Sequence, residues 1–346
     1  MKKVLIFIGK FLSFVGVTIA GLVIALLLII NMFCNGSSIK AKDMFVTTIL
    51  ETGQVKFIVN WFLSKDEIKE IVARNSLKEM KTEVDTNLIN VTDNKDQEPI
   101  VIEEINGGTF RGKMMIIADP SKVYVATTYP WGEYGEELGK IVEKNKAVGG
   151  VNGGLYVSTA NKGGYPIGVV VSKGKIQHNN TGGYAGLYMI GLDNNNLLRI
   201  IDVTKKSKSA VEQLVKEEGI RDAVTFQDEY SDKNNHFVKL IINGEKRELN
   251  GLGSGANPRT VIGQRADGTI LLLVTDGRGD GGHLGATASD LIKVMSDYGA
   301  VNAANLDGGS STSMYYNHEY LKTSVTMYYA NSSWRIPTAI VVGGDN

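Results

Sequence analysis

Cysteine is almost absent: Cys34 is the single one in 346 residues. No disulfide can close within the chain, and no cysteine-rich metal site can form. Histidine is nearly as scarce, and His178, His236 and His318 have no partner at metal-ligand spacing; they read as ordinary core or surface residues. An excess of either charge is missing too, since 37 Lys and Arg balance 37 Asp and Glu. That balance argues against a nucleic-acid partner, which would call for a basic excess or stripe. Glycine is plentiful. Its 40 residues exceed the roughly 7% of average usage, which favours tight turns and a loop-rich β-containing fold over a helical bundle.

Charge is also absent locally, from Phe11 to Phe33. As a helix rising about 1.5 Å per residue this run spans about 34 Å, enough to cross a hydrocarbon core of about 30 Å. It exceeds the apolar region of about 7 to 15 residues usual in a cleaved signal peptide. Lys2, Lys3 and Lys10 precede it and belong on the cytoplasmic side. Residues 1–34 therefore read as a cytoplasmic tail and transmembrane anchor, with the rest of the chain extracytoplasmic. Residues 35–99 read as a helical stalk and linker. Within it residues 43–80 look helical, with a capping box at Ser64-Lys65-Asp66-Glu67. The apolar run Phe57 to Leu63 suits a stalk face packed on the main domain, a dimer contact or an interfacial patch, and residues 81–98 are polar enough for a linker.

From residue 100 to 346 short apolar runs alternate with glycine, the pattern of an α+β domain with a mixed β-sheet and flanking helices. Ser172-Lys173-Gly174 and Asn243-Gly244-Glu245 mark hairpins. Ser209 to Glu212 caps one helix, which Gly219 ends. Ala147 to Val151 reads as a buried strand ending at Asn152-Gly153-Gly154.

The stretch 257–311 gathers the chemistry. Ala266-Asp267-Gly268 is turn chemistry between Thr260 to Arg265 and Ile270 to Val274. Antiparallel pairing about that turn sets Arg265 against Thr269 and Arg259 against Thr275, beside Asp276. Thr287-Ala288-Ser289-Asp290 forms a capping box for a helix with Leu291, Val294, Met295 and Tyr298 on one face and Gly299 as its stop. The strand Ala300 to Leu306 follows and should run parallel to the one before the helix. Asp276 and Asp307 would then both lie just past the carboxyl ends of strands. Arg259 can pair two donors with a phosphate or carboxylate, or form an ion pair with Asp276. Asp276 is either the partner of Asp307 or the carboxylate that orients Arg259. Asp307 followed by Gly308, Gly309 and Ser310 lets backbone N–H groups approach an anion closely. The residues do not say whether Asp307 acts as nucleophile, acid or base. Asn152 can offer its amide to a sugar hydroxyl or phosphate oxygen, or simply hold a turn. Arg278 and His283 lie in the glycine-rich loop Gly277 to Gly285, a candidate pocket rim, with His283 a candidate acid, base or ligand.

The order Asn-Pro-Arg-Thr at 257, Thr-Asp-Gly-Arg at 275, a Gly-Ala-Thr helix start at 285 and Leu-Asp-Gly-Gly-Ser-Ser at 306, with Val151-Asn152-Gly153-Gly154 upstream, resembles the phosphodiester glycosidase family. The resemblance covers about residues 100 to 346. Leu155-Tyr156 stands where the family more often has an aromatic pair, and Ser310 where it more often has a third glycine. The resemblance implies a hydrolase that cleaves a sugar-1-phosphodiester, of the N-acetylglucosamine-1-phosphodiester type, in cell-envelope or exopolysaccharide glycans. It implies Asp307 and Asp276 as catalytic residues, and Arg259, Asn152, Gly153, Gly308, Gly309, Ser310, Arg278, His283 and Thr287 as substrate-binding ones. It implies a phosphate-linked glycan as the partner. No cofactor and no metal are expected, because the histidine and carboxylate clusters that metal-dependent phosphoesterases normally use are absent. A non-catalytic glycan-binding or assembly protein for surface polysaccharide is the alternative.

Overall fold

The computed structural model describes residues 2–52, 55–92, 98–157, 159–230, 235–324 and 332–344. The chain divides into two compact units, Met1–Arg74 and Asn75–Asn346.

In the first unit α1 (Lys2–Asn35) is the one described helix long and apolar enough to cross a membrane. The helical character expected over residues 43–80 extends only to Ala73. Three short helices, α2 (Ile39–Glu51), α3 (Phe57–Asn60) and α4 (Lys65–Ala73), carry it. The expected capping box opens α4: Ser64 Oγ accepts from Glu67 N–H, and Glu67 accepts from Ser64 N–H at 2.8 Å. Val46, Val59, Leu63 and Ile71 bury against Ile30 and Cys34 at the end of α1. Asp43 takes two donors from Arg74, at 2.7 and 2.5 Å, closing the unit.

The second unit places three antiparallel sheets around one core. The seven-stranded sheet runs Ile100–Asn106, Arg111–Ile117, Ile270–Thr275, Thr260–Arg265, Ala300–Asn305, Lys239–Ile242, Glu245–Lys246. A five-stranded sheet is centred on Ile220–Gln227, and another carries Ala147–Asn152 between Ser313–Tyr316 and Thr338–Gly343. Alternation within a strand sends successive side chains to opposite faces. Ile270, Leu272 and Val274 accordingly enter the central core with Val151, Ile190, Val224 and Ile340. Leu271 and Leu273 face the other way and meet α7 (Ala288–Asp297) through Leu291 and Met295. The helices α5 (Leu138–Lys144) and α6 (Lys208–Glu217) cover the outer faces of the two smaller sheets in the same manner.

The expected hairpins form: Ser172 pairs with Lys175, Ile242 with Glu245, and Gln264 with Ile270. The cap of α6 is Ser207, not Ser209; its Oγ accepts from Ala210 N–H. The two strands bracketing α7 do run parallel, but as next-nearest neighbours. Thr260–Arg265 lies between them, antiparallel to both.

The linker expected over 81–98 is largely a strap. Lys78 N–H donates to Glu248 O, Asn90 N–H to Ala266 O, and the Lys239 ammonium to the Met80 and Thr82 carbonyls. Its backbone satisfies edge groups of the sheet domain, which polar composition alone did not disclose. Residues 93–97 lie outside the described residues. The two compact units divide after Arg74, so the strap belongs with the second.

A chain begun at residue 75 should therefore resist urea better than one begun at residue 100. Burial of Leu77 and Ile89, 7% and 6% exposed, is worth about 3 to 6 kcal/mol together. Equal unfolding midpoints for the two chains would contradict the strap.

Candidate active site

The hairpin register is the one the turn dictates. Arg259 N–H donates to Thr275 Oγ1 at 3.0 Å, and Thr275 N–H donates back to Arg259 O at 2.9 Å. On the other side Leu306 N–H donates to Thr260 O at 2.8 Å. Arg259, Asp276 and Asp307 therefore arrive at one edge of the sheet, as their spacing predicts.

Asp307 sits in a turn built to approach closely. Gly308 N–H donates to its Oδ1 at 3.0 Å. A Cβ on Gly308 would lie 2.9 Å from Pro258 O, and Gly309 has a φ of +61°, so both positions require glycine. Beneath the carboxyl, Ser311 bonds it, and the Ser311 hydroxyl in turn meets the Tyr156 hydroxyl at 2.9 Å. Burial pushes the Asp307 carboxyl up from its ordinary value to about 7, against the opposing pull of Ser311, Gly308 N–H and the Arg278 charge. Burial and the Asp307 charge likewise raise the Tyr156 hydroxyl, so it stays a proton donor.

Asp276 is 2% exposed and differently furnished. Its Oδ1 accepts from Arg111 N–H at 2.7 Å, and its Oδ2 meets His283 Nδ1 at 2.9 Å and the Lys322 ammonium at 3.2 Å. Its carboxylate orients His283 and holds Lys322, and among the described contacts the ion pair with Arg259 is not formed. Arg259 is 7% exposed, donates to Gly255 O at 2.9 Å and lies over the Phe237 ring at 4.9 Å. Arg278 is the exposed guanidinium of the edge. It donates to Ser310 Oγ at 2.8 Å and lies within electrostatic reach of Arg259 and Asp307. The loop that carries it closes on itself through Arg278 N–H to Leu284 O and Gly279 N–H to His283 O.

The other expected residues serve the frame. Asn152 is 1% exposed; its amide donates to Asp307 O at 2.6 Å and accepts from Thr260 Oγ1 at 2.7 Å and Ser313 N–H at 3.1 Å. Gly153 lets the chain pass Thr338, whose Oγ1 would be 2.5 Å from a Cβ there. The Thr287 hydroxyl is spent in the capping box, accepting from Asp290 N–H and donating to Asp290 Oδ2 at 2.7 Å. Arg111 and Lys322 were missed, and Tyr156 and Ser311 were named only within motifs, with no role of their own. Ser311 lies within the Asp-Gly-Gly motif and could have been included, whereas Lys322 sits in an edge strand with no local signal.

Two substitutions separate frame from site. Asn152→Ala should lower stability by about 1 to 3 kcal/mol for each polar group it orphans, with activity falling as Asp307 loses its seat. Thr287→Ala should cost about 1 kcal/mol and leave turnover near normal. Denaturant titration and a turnover assay read both, and a large activity loss in Thr287→Ala without destabilisation would contradict a purely capping role.

A sequence profile described as phosphodiester glycosidase matches residues 145–343. Among solved structures, the catalytic domain of zebrafish N-acetylglucosamine-1-phosphodiester alpha-N-acetylglucosaminidase, auto-inhibited by its pro-peptide, superposes with a TM-score of 0.54 at 18% identity, covering 71% of this chain and 82% of that one. A hypothetical protein from Synechocystis gives 0.43 at 17% identity, over 71% of this chain and 64% of that one. Among curated proteins, the SPbeta prophage-derived uncharacterized protein YomE of Bacillus subtilis (strain 168) is 38% identical over 65 residues, 19% of this chain and 10% of its own length. This chain therefore spans about a tenth of that relative. The fold shared with the zebrafish domain and the profile match over the segment that carries Asn152, Arg259, Asp276 and Asp307 agree, and the chain belongs to the phosphodiester glycosidase family.

Proposed function

We propose that this protein is a membrane-anchored extracytoplasmic glycosidase that hydrolyses a sugar-1-phosphodiester bond in phosphate-linked glycans of the cell envelope or exopolysaccharide. The observation that carries the reading is a carboxyl group poised near neutrality, Asp307, at a sheet edge shared with Arg278, Lys322 and Arg259. A phosphodiester is a good leaving group, so the chemistry asks mainly for an activated attacking group, cationic donors for the phosphate and a pocket that tolerates an oxocarbenium-like centre. In this reading the ionised Asp307 is the working form, either drawing the proton from the attacking water or attacking the sugar directly. Ser311 and Gly308 N–H hold the carboxylate in place. His283, oriented by Asp276 through Nδ1, leaves Nε2 to serve the departing phosphate oxygen. Arg278 offers paired donors to the phosphate, with Arg259 behind it as a fixed positive charge. Asn152 acts by positioning Asp307. The uncharged span of α1, preceded by Lys2, Lys3 and Lys10, supports an anchor with its amino terminus inside.

Incubation of the full chain with a panel of sugar-1-phosphodiesters should release free sugar and a phosphomonoester. Asp307→Asn should lower turnover by about 10² to 10⁴ while leaving the fold intact, and near-normal turnover would reject the assignment. Turnover in the native protein should rise with pH through about 7, the value to which the Asp307 carboxyl is raised; a rate that falls through that range would show the protonated form to be the working one.

The same group carries a stability signature. Because the folded state holds the Asp307 proton more tightly than the unfolded chain does, its contribution is fully present at acid pH. It is lost as pH rises from the ordinary carboxylate range to about 7. Asp307→Asn should therefore melt higher than the native protein at about pH 8 and equally at about pH 4; no difference at the higher pH would contradict the buried, neutral-leaning carboxyl.

A further inference from the structure

The first unit presents an apolar surface that its own packing does not cover. Phe57 and Trp61 meet edge to face at 5.1 Å, yet they are 49% and 67% exposed, and Ile39 is 67% exposed. The short helices nevertheless have a core, since Val46, Val59, Leu63 and Ile71 are buried with Ile30 and Cys34. That core fixes where they sit along α1. Phe33 stacks on Phe45 of α2 at 5.1 Å with the rings 13° apart. The packing thus meets α1 along one side, at Ile30, Phe33 and Cys34, about 30 Å along the helix from Phe11 at about 1.5 Å per residue. This is the level at which an uncharged span must leave the hydrocarbon, and the chain there turns polar: Asn35 donates to Asn31 at 2.8 Å, and Gly36-Ser37-Ser38 follow.

We propose that α2, α3 and α4 form a foot that lies on the outer leaflet, with Trp61, Phe57 and Ile39 inserted at the headgroup–acyl boundary of the phospholipid bilayer. The inference rests on reading α1 as a membrane span. An indole ring suits that layer because its apolar body enters the acyl region while its N–H stays with water and headgroups. Continuity supplies the occupant: the lipid that covers the exposed apolar length of α1 extends to the side chains packed about its end. The foot would fix the outer end of the span, where a bare helix could slide and tilt.

The test uses the full chain in phospholipid vesicles and the conservative variant Trp61→Phe, so that the difference in emission isolates Trp61 from Trp131 and Trp334. Lipids brominated on acyl carbons close to the glycerol should quench the Trp61 component at least about twofold, as expected for an apolar face buried about 5 to 10 Å into the boundary. Bromines at the chain ends should quench it less, and aqueous iodide hardly at all. Emission from Trp61 that ignores the bromines and yields to iodide, in a protein that floats with the vesicles, would overturn the foot and leave the span standing. Failure of the full chain to float would overturn both.

Discussion

The side chain of Asn152 is the interaction on which the rest of the second unit turns. It stands at the end of a strand in one sheet and bonds Thr260 at the start of the central strand of another, while its amide holds the backbone carbonyl of Asp307. A third partner, Ser313 N–H, begins the strand that returns to its own sheet. At 1% exposure none of these groups can turn to water instead, so each must find its partner here or remain unsatisfied. Two sheets are thereby locked at the point where the Asp307 carboxyl emerges.

That lock gives the two acidic residues of the edge different surroundings. Asp276 is met by a backbone N–H, an imidazole and an ammonium, and is consumed in orienting them. Asp307 has hydroxyl and glycine neighbours at its carboxyl and the Arg278 charge within reach, and burial dominates its behaviour. Two carboxyl groups a few residues from the ends of parallel strands thus lie in different surroundings, the general means by which one site can supply distinct acid and base functions. The cations divide similarly. Arg259 is held from within by Gly255 and Phe237, whereas Arg278 reaches the exposed rim on a loop whose backbone bonds close upon themselves.

Much of this edge was legible in the chain because its determinants are local. Ala266-Asp267-Gly268 fixes the hairpin register, and register fixes Arg259 against Thr275. Thr287 and Asp290 cap α7 as their spacing requires, and Gly299 ends it at a φ of +77°. What escaped was non-local. Lys322 reaches Asp276 from a different sheet, and Tyr156 reaches Ser311 across 155 positions of sequence. No periodicity announces such contacts, since they depend on how whole sheets pack. The strap at 75–92 escaped for a related reason: polar residues read as a linker, yet their backbone groups complete the edge of the sheet domain. Asn152 was found as a residue but its role stayed open between a ligand contact and a turn, because a strand-ending asparagine before two glycines looks the same whether it faces a ligand or a carbonyl.

The central claim is that the bond broken joins the sugar carbon to oxygen and that the phosphate leaves intact. Hydrolysis of a sugar-1-phosphodiester in water enriched in heavy oxygen tests it directly, with mass spectrometry of both products. The account predicts that the label appears at the anomeric position of the released sugar and not in the phosphomonoester; label in the phosphate would show attack at phosphorus and contradict it.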